Sequence, residues 1–268
     1  MPSQFSAIGF AVSTGEDLAA LASRVADRAD TINAEGGQYL RWAPPSGEQL
    51  WLQLTRTGDA MGMNPHFSGQ STVHAGLEAR VTRPTHTPLD ATFLAWANPP
   101  DGSATGGDYP FVFDCPDAAS YAGLTLPALV TLQVAAFAQQ VSVYADEAAY
   151  ETSRTTEGLS FESRAFIPSG LISPEGRPVE PPEPHALLVG HVIVAAERRN
   201  SVTGAPYWWA LVDTLGGTFD VVIDPALLPT PPQAGNILSG WFWLSGRIRS
   251  DAEQAPARRG WFARLTGR

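Results

Sequence analysis

The chain of 268 residues is long enough for one large domain or two small ones with real hydrophobic cores. It contains no lysine, which excludes Schiff-base chemistry, a phosphate-loop lysine and a lysine general base. The net charge of −10 argues against a general binder of nucleic acid or acidic membranes. The charge is uneven, since residues 1–185 carry 9 arginines and 21 acids, whereas residues 186–268 carry 8 arginines and 6 acids.

Signals of export are absent from the sequence. Cys115 is the single cysteine, so the chain cannot form an intrachain disulfide. Residues 1–12 lack a basic segment followed by an apolar core, and no stretch reaches transmembrane length. We therefore expect a cytoplasmic, bacterial-type protein that does not associate with membranes.

The first 82 residues alternate between patterns typical of strand and of helix. Residues 5–13 are predicted as a strand, and Ser13 and Thr14 as caps of a helix at 16–29, with Asp17 placed to complement its first turn. Apolar residues recur in this helix at the spacing of one helical face: Leu18, Leu21, Ala22 and Val25.

Three further strands are predicted after this helix. Residues 39–42 and 49–54 flank the turn signal Pro44-Pro45-Ser46-Gly47, which indicates a hairpin. Residues 72–81 alternate between apolar and polar side chains, as in a strand with one buried face.

This order resembles one module of the vicinal-oxygen-chelate (glyoxalase-like) superfamily. The resemblance covers roughly residues 5–82 and rests on three phrases: Ile8-Gly9-Phe10-Ala11-Val12 before the helix, Tyr39-Leu40-Arg41-Trp42, and Pro45-Ser46-Gly47-Glu48-Gln49-Leu50-Trp51-Leu52. It implies a βαβββ fold with a cavity on the inner face of the sheet. Members of the superfamily bind a divalent metal there through histidine and glutamate.

The chain departs from the metal-binding pattern of that superfamily. Ser6 and Ala7 stand where a histidine ligand is expected, and residues 51–54 offer no carboxylate. The first hypothesis is therefore a non-catalytic protein that binds a small molecule or another protein and needs no cofactor. Its expected site is an aromatic cleft formed by Tyr39, Arg41, Trp51 and Gln53.

The alternative hypothesis keeps a metal. A lyase, isomerase or dioxygenase of the glyoxalase type would hold a divalent ion through His66, His74 and an unidentified carboxylate. The two hypotheses differ in whether a divalent metal is a cofactor.

Residues 83–185 give a less regular pattern. Strands are predicted at 89–97, 109–113 and 161–167, and a helical turn or two at 146–152, while the apolar segment 126–143 fits either strand or helix. Residues 83–172 could form a second module of the first fold. A proline-rich segment then ends near residue 185, where we predict the boundary of the first domain: Pro174, Pro178, Pro181, Pro182 and Pro184.

Cys115 is also a candidate nucleophile. The carboxylates of Asp114 and Asp117 on either side of it are expected to raise the pKa of the thiol, which opposes activation. A semi-buried structural residue is the expected role.

The last third, residues 186–268, is predicted as a small β-barrel. Strands at 186–196, 207–214, 218–223 and 237–248 follow one another with turn signals between them, in an order that resembles the OB-fold. The whole chain is thus predicted as α+β, mostly β, with glyoxalase-like βαβββ modules followed by an OB-like barrel.

The barrel suggests a third function, in which aromatic and basic side chains bind single-stranded nucleic acid. The net negative charge makes nucleic acid the weaker of the partners considered, behind a small molecule or a protein, and a homo-oligomer is left open. The residues of this alternative site are Arg198, Arg199, Trp208, Trp241 and Arg247.

Overall fold

The structure, a computed structural model, describes residues 3–157, 161–171 and 179–249. Strands dominate these residues and helices are few, which confirms the predicted mostly-β class. No helix within the described ranges is both long enough and apolar enough to cross a lipid bilayer.

The N-terminal part consists of a helix and a four-stranded antiparallel meander. Helix α1 (Gly15–Ala26) begins at the predicted cap, where Thr14 Oγ1 accepts from Asp17 N at 3.1 Å and Asp17 Oδ2 accepts from Thr14 N at 2.9 Å. The meander follows in the order β1 (Asp30–Ala34), β2 (Gly37–Trp42), β3 (Glu48–Leu54) and β4 (Ala60–Phe67). The predicted hairpin is confirmed as β2 and β3.

The strand predicted at 5–13 is wrong. Residues Ser6–Ile8 form a short 3-10 helix that ends at Gly9, whose φ of 81° lies in the left-handed region favoured by glycine. The Gly9 backbone is also crowded, because a Cβ there would lie 2.8 Å from the Cβ of Asn200. The apolar residues of this run pack against a neighbouring turn. Their composition is that of a strand, although their backbone is not extended.

The remaining strands belong to one large sheet. Its first half contains β5 (Val73–Val81), β6 (Ala91–Ala97), β7 (Pro110–Cys115) and the 17-residue β8 (Ala128–Tyr144). Helix α2 (Glu147–Glu157) follows β8. The second half contains β9 (Ala165–Ile167), β10 (His185–Arg199), β11 (Pro206–Thr214), β12 (Gly217–Ile223) and β13 (Ile237–Ile248).

The pairing of these strands closes two five-membered rings that share β8 and β13. In one ring β5, β6 and β7 form an antiparallel meander, β8 runs antiparallel to β5, and β13 runs parallel to β7. In the other ring β10, β11 and β12 form the meander, β13 runs antiparallel to β10, and β8 runs parallel to β12. The shared pair is antiparallel, from Ile237 opposite Tyr144 to Ile248 opposite Leu132.

The large sheet therefore crosses residue 185, where the sequence predicted a boundary between two separate bodies. Strand β8, from before that residue, pairs with β12 and β13, from after it. The segment 126–143, which fitted strand or helix, forms most of β8. At roughly 3.3 Å per residue, a strand of this length can serve both rings. The segments 1–185 and 186–268 do not form separate sheets.

The meander packs over the shared pair of strands. Strand β5 joins the large sheet, so the strands of the predicted βαβββ unit do not lie in one sheet. The buried apolar cluster between the meander and the large sheet includes Trp42, Leu50 and Phe67 from the meander and Phe137, Trp209 and Trp243 from the large sheet. Burial of these apolar side chains, most of them aromatic, holds the two layers together.

Candidate functional site

A polar groove runs along the junction between the meander and the large sheet. It consists of two adjoining clefts of about 460 and 200 Å³, both of which are lined by Asn64, Arg83, Thr85 and Asp114. The larger cleft adds apolar and aromatic walls: Phe5, Met63, Pro65, Pro181, Pro184 and Trp243. The smaller cleft adds His86, Asp90, Ala91 and Cys115.

Asp114, on β7, is the charged group best placed in this groove. Its Oδ2 accepts a hydrogen bond from Trp243 Nε1 at 2.9 Å, and its Oδ1 accepts one from Thr92 Oγ1. Burial raises the pKa of this carboxyl above the ordinary value, and the Thr92 hydrogen bond and the Arg83 charge oppose that rise. The Arg83 Nη1 atom lies 3.6 Å from Asp114 Oδ1.

His86 extends this arrangement through Thr92. The backbone N–H of Arg83 donates to His86 Nδ1 at 3.3 Å, so the neutral ring carries its proton on Nε2. That Nε2 lies 3.5 Å from Thr92 Oγ1, which in turn donates to Asp114. The imidazole and the carboxyl are therefore linked through one buried hydroxyl.

The loop between β5 and β6 carries most of these groups and is held rigidly. Leu89 is fully buried, and its carbonyl oxygen accepts from Tyr39 Oη at 2.6 Å. Asp90 accepts from Gln53 Nε2 and, at 2.8 Å, from Asn64 Nδ2. Meander side chains thus fix the loop against the groove.

The residues that the sequence predicted to bind a ligand do not line this groove. The side chains of Tyr39, Trp51 and Gln53 are buried, with at most 1 % exposure, and do not line an open cleft. Arg41 pairs with Asp30 at 2.9 Å and lies over the ring of Trp51, with 5.9 Å from its Cζ to the ring centroid. Tyr39 and Gln53 lie beneath the groove and hydrogen-bond to its loop.

The two histidines considered for a metal lie in different settings. His66 is fully buried, with Nδ1 2.8 Å from Ser245 Oγ and Nε2 2.9 Å from Gln133 Oε1, so both ring nitrogens have protein partners. Burial, aided by the charge of Arg247, lowers the pKa of His66 to about 3. His74 is exposed on β5. The described residues contain no group of three or more His, Cys, Asp and Glu side chains arranged for a metal.

The five residues predicted to bind single-stranded nucleic acid lie in different surroundings. Arg198 lies over the ring of Trp209 at 4.9 Å, Arg199 pairs with Glu197 at 3.3 Å, and Trp208 packs against the core of the large sheet. Trp241 is 41 % exposed, although Trp243 on the same strand is buried. Arg247 forms a buried ion pair with Asp117 at 2.9 Å.

Cys115 is buried as expected, beside the groove. Burial and then the neighbouring Asp117 carboxylate raise the pKa of its thiol well above the ordinary value. Its Sγ lies 3.3 Å from Asp117 Oδ1. The predicted direction of this pKa shift is confirmed, and burial is the larger cause.

Sequence reasoning missed Arg83, His86 and Asn64. For Arg83 and His86 the signal was a polar, proline-containing stretch between two strands, Thr82-Arg83-Pro84-Thr85-His86-Thr87-Pro88, which carries both a cation and an imidazole. Asn64 lies on β4, outside that stretch. No family model, no curated protein and no solved structure matches the chain.

Proposed function

We propose that this protein is a non-catalytic binding protein whose groove holds a small organic molecule with a protonated amine. The observation that carries the proposal is the Asp114 carboxyl, which lines both clefts, is partly buried, and lies beside an aromatic wall. Clefts with apolar walls and a few convergent polar groups are the usual form of small-molecule sites.

The balance of charge in the groove favours a cation. Among the described residues, the carboxyl groups of Asp90, Asp114 and Glu183 line it, against the one guanidinium of Arg83. Both Nε and Nη2 of Arg83 donate to Pro182 O, at 3.2 and 3.0 Å, which engages much of this cation. A ligand amine would offset the remaining negative charge.

The walls of the groove add to this preference. Trp243 and Phe5 line the larger cleft, and the faces of aromatic rings attract cations. Asn64 donates its amide N–H to Asp90, so its carbonyl oxygen is oriented away from that carboxylate and can accept from an amine. An arylalkylamine would place its ring against the apolar wall and its ammonium group near Asp114.

Binding without catalysis is supported by the state of the reactive groups nearby. The Cys115 thiol is buried with a raised pKa, which disfavours the nucleophilic thiolate. His86 Nδ1 accepts from the backbone, and its Nε2 faces Thr92. These contacts favour a fixed binding surface over an activated nucleophile or base.

The OB-like interpretation of the C-terminal part is supported by strand order. Strands β10, β11 and β12 form a meander, β13 pairs antiparallel with β10, and β8 closes the ring parallel to β12. An OB-fold has this arrangement of five strands. Here the closing strand would come from earlier in the chain.

Calorimetric titration with phenethylamine tests the proposed function. We expect saturable binding to the full chain, at least about tenfold tighter than binding of phenethyl alcohol or phenylacetate, because a charge-assisted hydrogen bond contributes about 1.5–3 kcal/mol. Equal affinity for the alcohol, or a preference for the carboxylate, would contradict the proposal.

The variant Asp114→Asn identifies the site. It keeps the size of the side chain and removes its charge, so we expect a loss of affinity of about tenfold or more. Asp27→Asn, at an exposed position at the end of α1, is the matched control and should bind as the wild type does. An unchanged affinity in Asp114→Asn would place the ligand elsewhere.

A further inference from the structure

A second pocket opens where β13 ends, and it shares no lining residue with the groove. Its small compartment, of about 140 Å³, is bounded by Ser68, Gly69, Gln133, Arg247, Ile248 and Arg249. A larger compartment of about 450 Å³ adjoins it through Ile248 and Arg249. The larger compartment is lined by prolines and other apolar residues together with His74, Thr131 and one carboxylate, that of Asp101.

Arg249 lines both compartments and is incompletely satisfied. Its backbone N–H donates to Thr131 O at 2.8 Å, which continues the pairing of β13, and its Nη2 donates to Ser71 O at 2.9 Å. Its Nε is buried from solvent and has no hydrogen-bond partner in the described part of the chain. A buried N–H without an acceptor is costly, so the contacts of Arg249 leave part of its hydrogen-bonding capacity unused.

The small compartment is positively charged in an otherwise acidic protein. Of the described residues that line it, two carry guanidinium groups and none is acidic. Asp117 pairs with Arg247 through both Nε and Nη2 of the guanidinium. Arg249 forms no ion pair among the described residues, so its charge is not compensated in this way. The nearby carboxylate of Asp220 is engaged by donors including Gln133 Nε2 at 2.8 Å.

We propose that this pocket binds a phosphomonoester. The phosphate group would occupy the small compartment, where Arg249 supplies the charge and the planar donors that suit phosphate oxygens. The organic part would occupy the larger compartment, against the apolar surface of Pro99, Pro100 and Leu129, the last of which is 54 % exposed. An apolar ligand group would cover this surface and remove it from water.

Titrations of the full chain with inorganic phosphate, phenyl phosphate and phenol at constant ionic strength test this inference. We expect phenyl phosphate to bind at least about tenfold more tightly than inorganic phosphate, because only the ester fills both compartments. Phenol should not bind measurably. Equal affinity for inorganic phosphate and the ester would overturn the assignment of the larger compartment, and no saturable binding of either would overturn the site.

Variants separate the roles of the two compartments. Arg249→Gln should weaken the binding of both phosphates by about tenfold or more, whereas Arg199→Gln, at an exposed site on β10, should leave both unchanged. His74→Ala should weaken only phenyl phosphate, and it keeps the test decisive where Arg249→Gln does not fold. Binding that survives both Arg249→Gln and His74→Ala would overturn the proposal. Phenethylamine binding in the groove should be unaffected by either change.

Discussion

Replacement of Asp220 by asparagine should destabilise the protein severely. This carboxylate on β12 is fully buried, and a side chain at Gly69 would collide with it. Its Oδ1 accepts from Gln70 N and Trp209 Nε1, both at 2.9 Å, and its Oδ2 accepts from Ser71 N and Gln133 Nε2, both at 2.8 Å. Asp220 thereby joins the loop after β4 to both β8 and β11.

The size of this effect follows from the number of donors. In either orientation, the amide of Asp220→Asn presents its NH₂ group to two of the four donors. Each lost charge-assisted hydrogen bond costs about 1.5–3 kcal/mol, so the variant should lose roughly 3–6 kcal/mol. The free energy of unfolding of a natural domain is only about 5–15 kcal/mol, so the loss is a large fraction of the total.

Urea denaturation followed by tryptophan fluorescence measures this loss, with Asp27→Asn as the control. We expect the midpoint of Asp220→Asn to fall sharply and that of the control to stay within the error of the wild-type value. A loss below about 1 kcal/mol in Asp220→Asn would refute the reasoning, because it would mean that this carboxylate does not hold the four donors in solution.

Further predictions concern His66, Cys115 and Trp241. The pKa of His66 in the folded protein, about 3, lies below its ordinary value of 6.5, so between these pH values the unfolded chain binds a proton there and the folded protein does not. The contribution of His66 to the free energy of unfolding is therefore complete above pH 6.5 and is lost as the pH falls toward 3, by about 1.4 kcal/mol per pH unit. The stability of His66→Gln should therefore decline less steeply than that of the wild type over this range in acid-dependent urea melts, and parallel slopes would contradict the assignment. The Cys115 thiol should react with a thiol reagent at pH 8 only after unfolding, since it is buried and its pKa is raised, and rapid reaction of the native protein would show that the site is open. Trp241→Ser should change the urea midpoint little and Trp243→Ser should lower it strongly, because Trp241 is 41 % exposed and Trp243 is 8 % exposed; equal effects would contradict the different environments of the two rings.

Local sequence signals predicted local structure well. The capping residues Thr14 and Asp17 predicted the start of α1, and the turn signal at 44–47 predicted the hairpin of β2 and β3. The strand predicted at 5–13 failed because its apolar residues are buried by packing of a 3-10 helix, which composition alone does not distinguish from a strand.

Such local signals do not predict which strands pair when they lie far apart in the sequence. Nothing in the segment 126–143 indicates that β8 pairs with β5 as well as with β12 and β13 across residue 185, because the last two pairings depend on partners about 100 residues away. The contrast between Trp241 and Trp243 was missed for a related reason. Residues two apart on a strand ordinarily share a face, but β8 has a bulge opposite Trp241 and Phe242 that alters the local pairing.

The sequence did not predict which side chains line the groove. The expected Tyr39 and Gln53 are buried beneath the groove, where they hydrogen-bond to its loop and do not line it. Asp114 was considered for its effect on Cys115, and only the fold brings it against Arg83, Thr92 and Trp243. These contacts join β6, β7, β13 and a loop, and no local pattern encodes them.

The pH dependence of phenethylamine binding is the most direct test of the central claim that Asp114 binds an amine. The ligand stays protonated well below its own pKa, so loss of affinity on acidification reports the carboxyl, and the raised pKa of Asp114 places that loss above the range of an ordinary aspartate. Calorimetry from pH 7.5 downward should show wild-type affinity falling before the protein unfolds, and Asp114→Asn should bind weakly at every pH. Affinity that is independent of pH, or identical in the two proteins, would contradict the account.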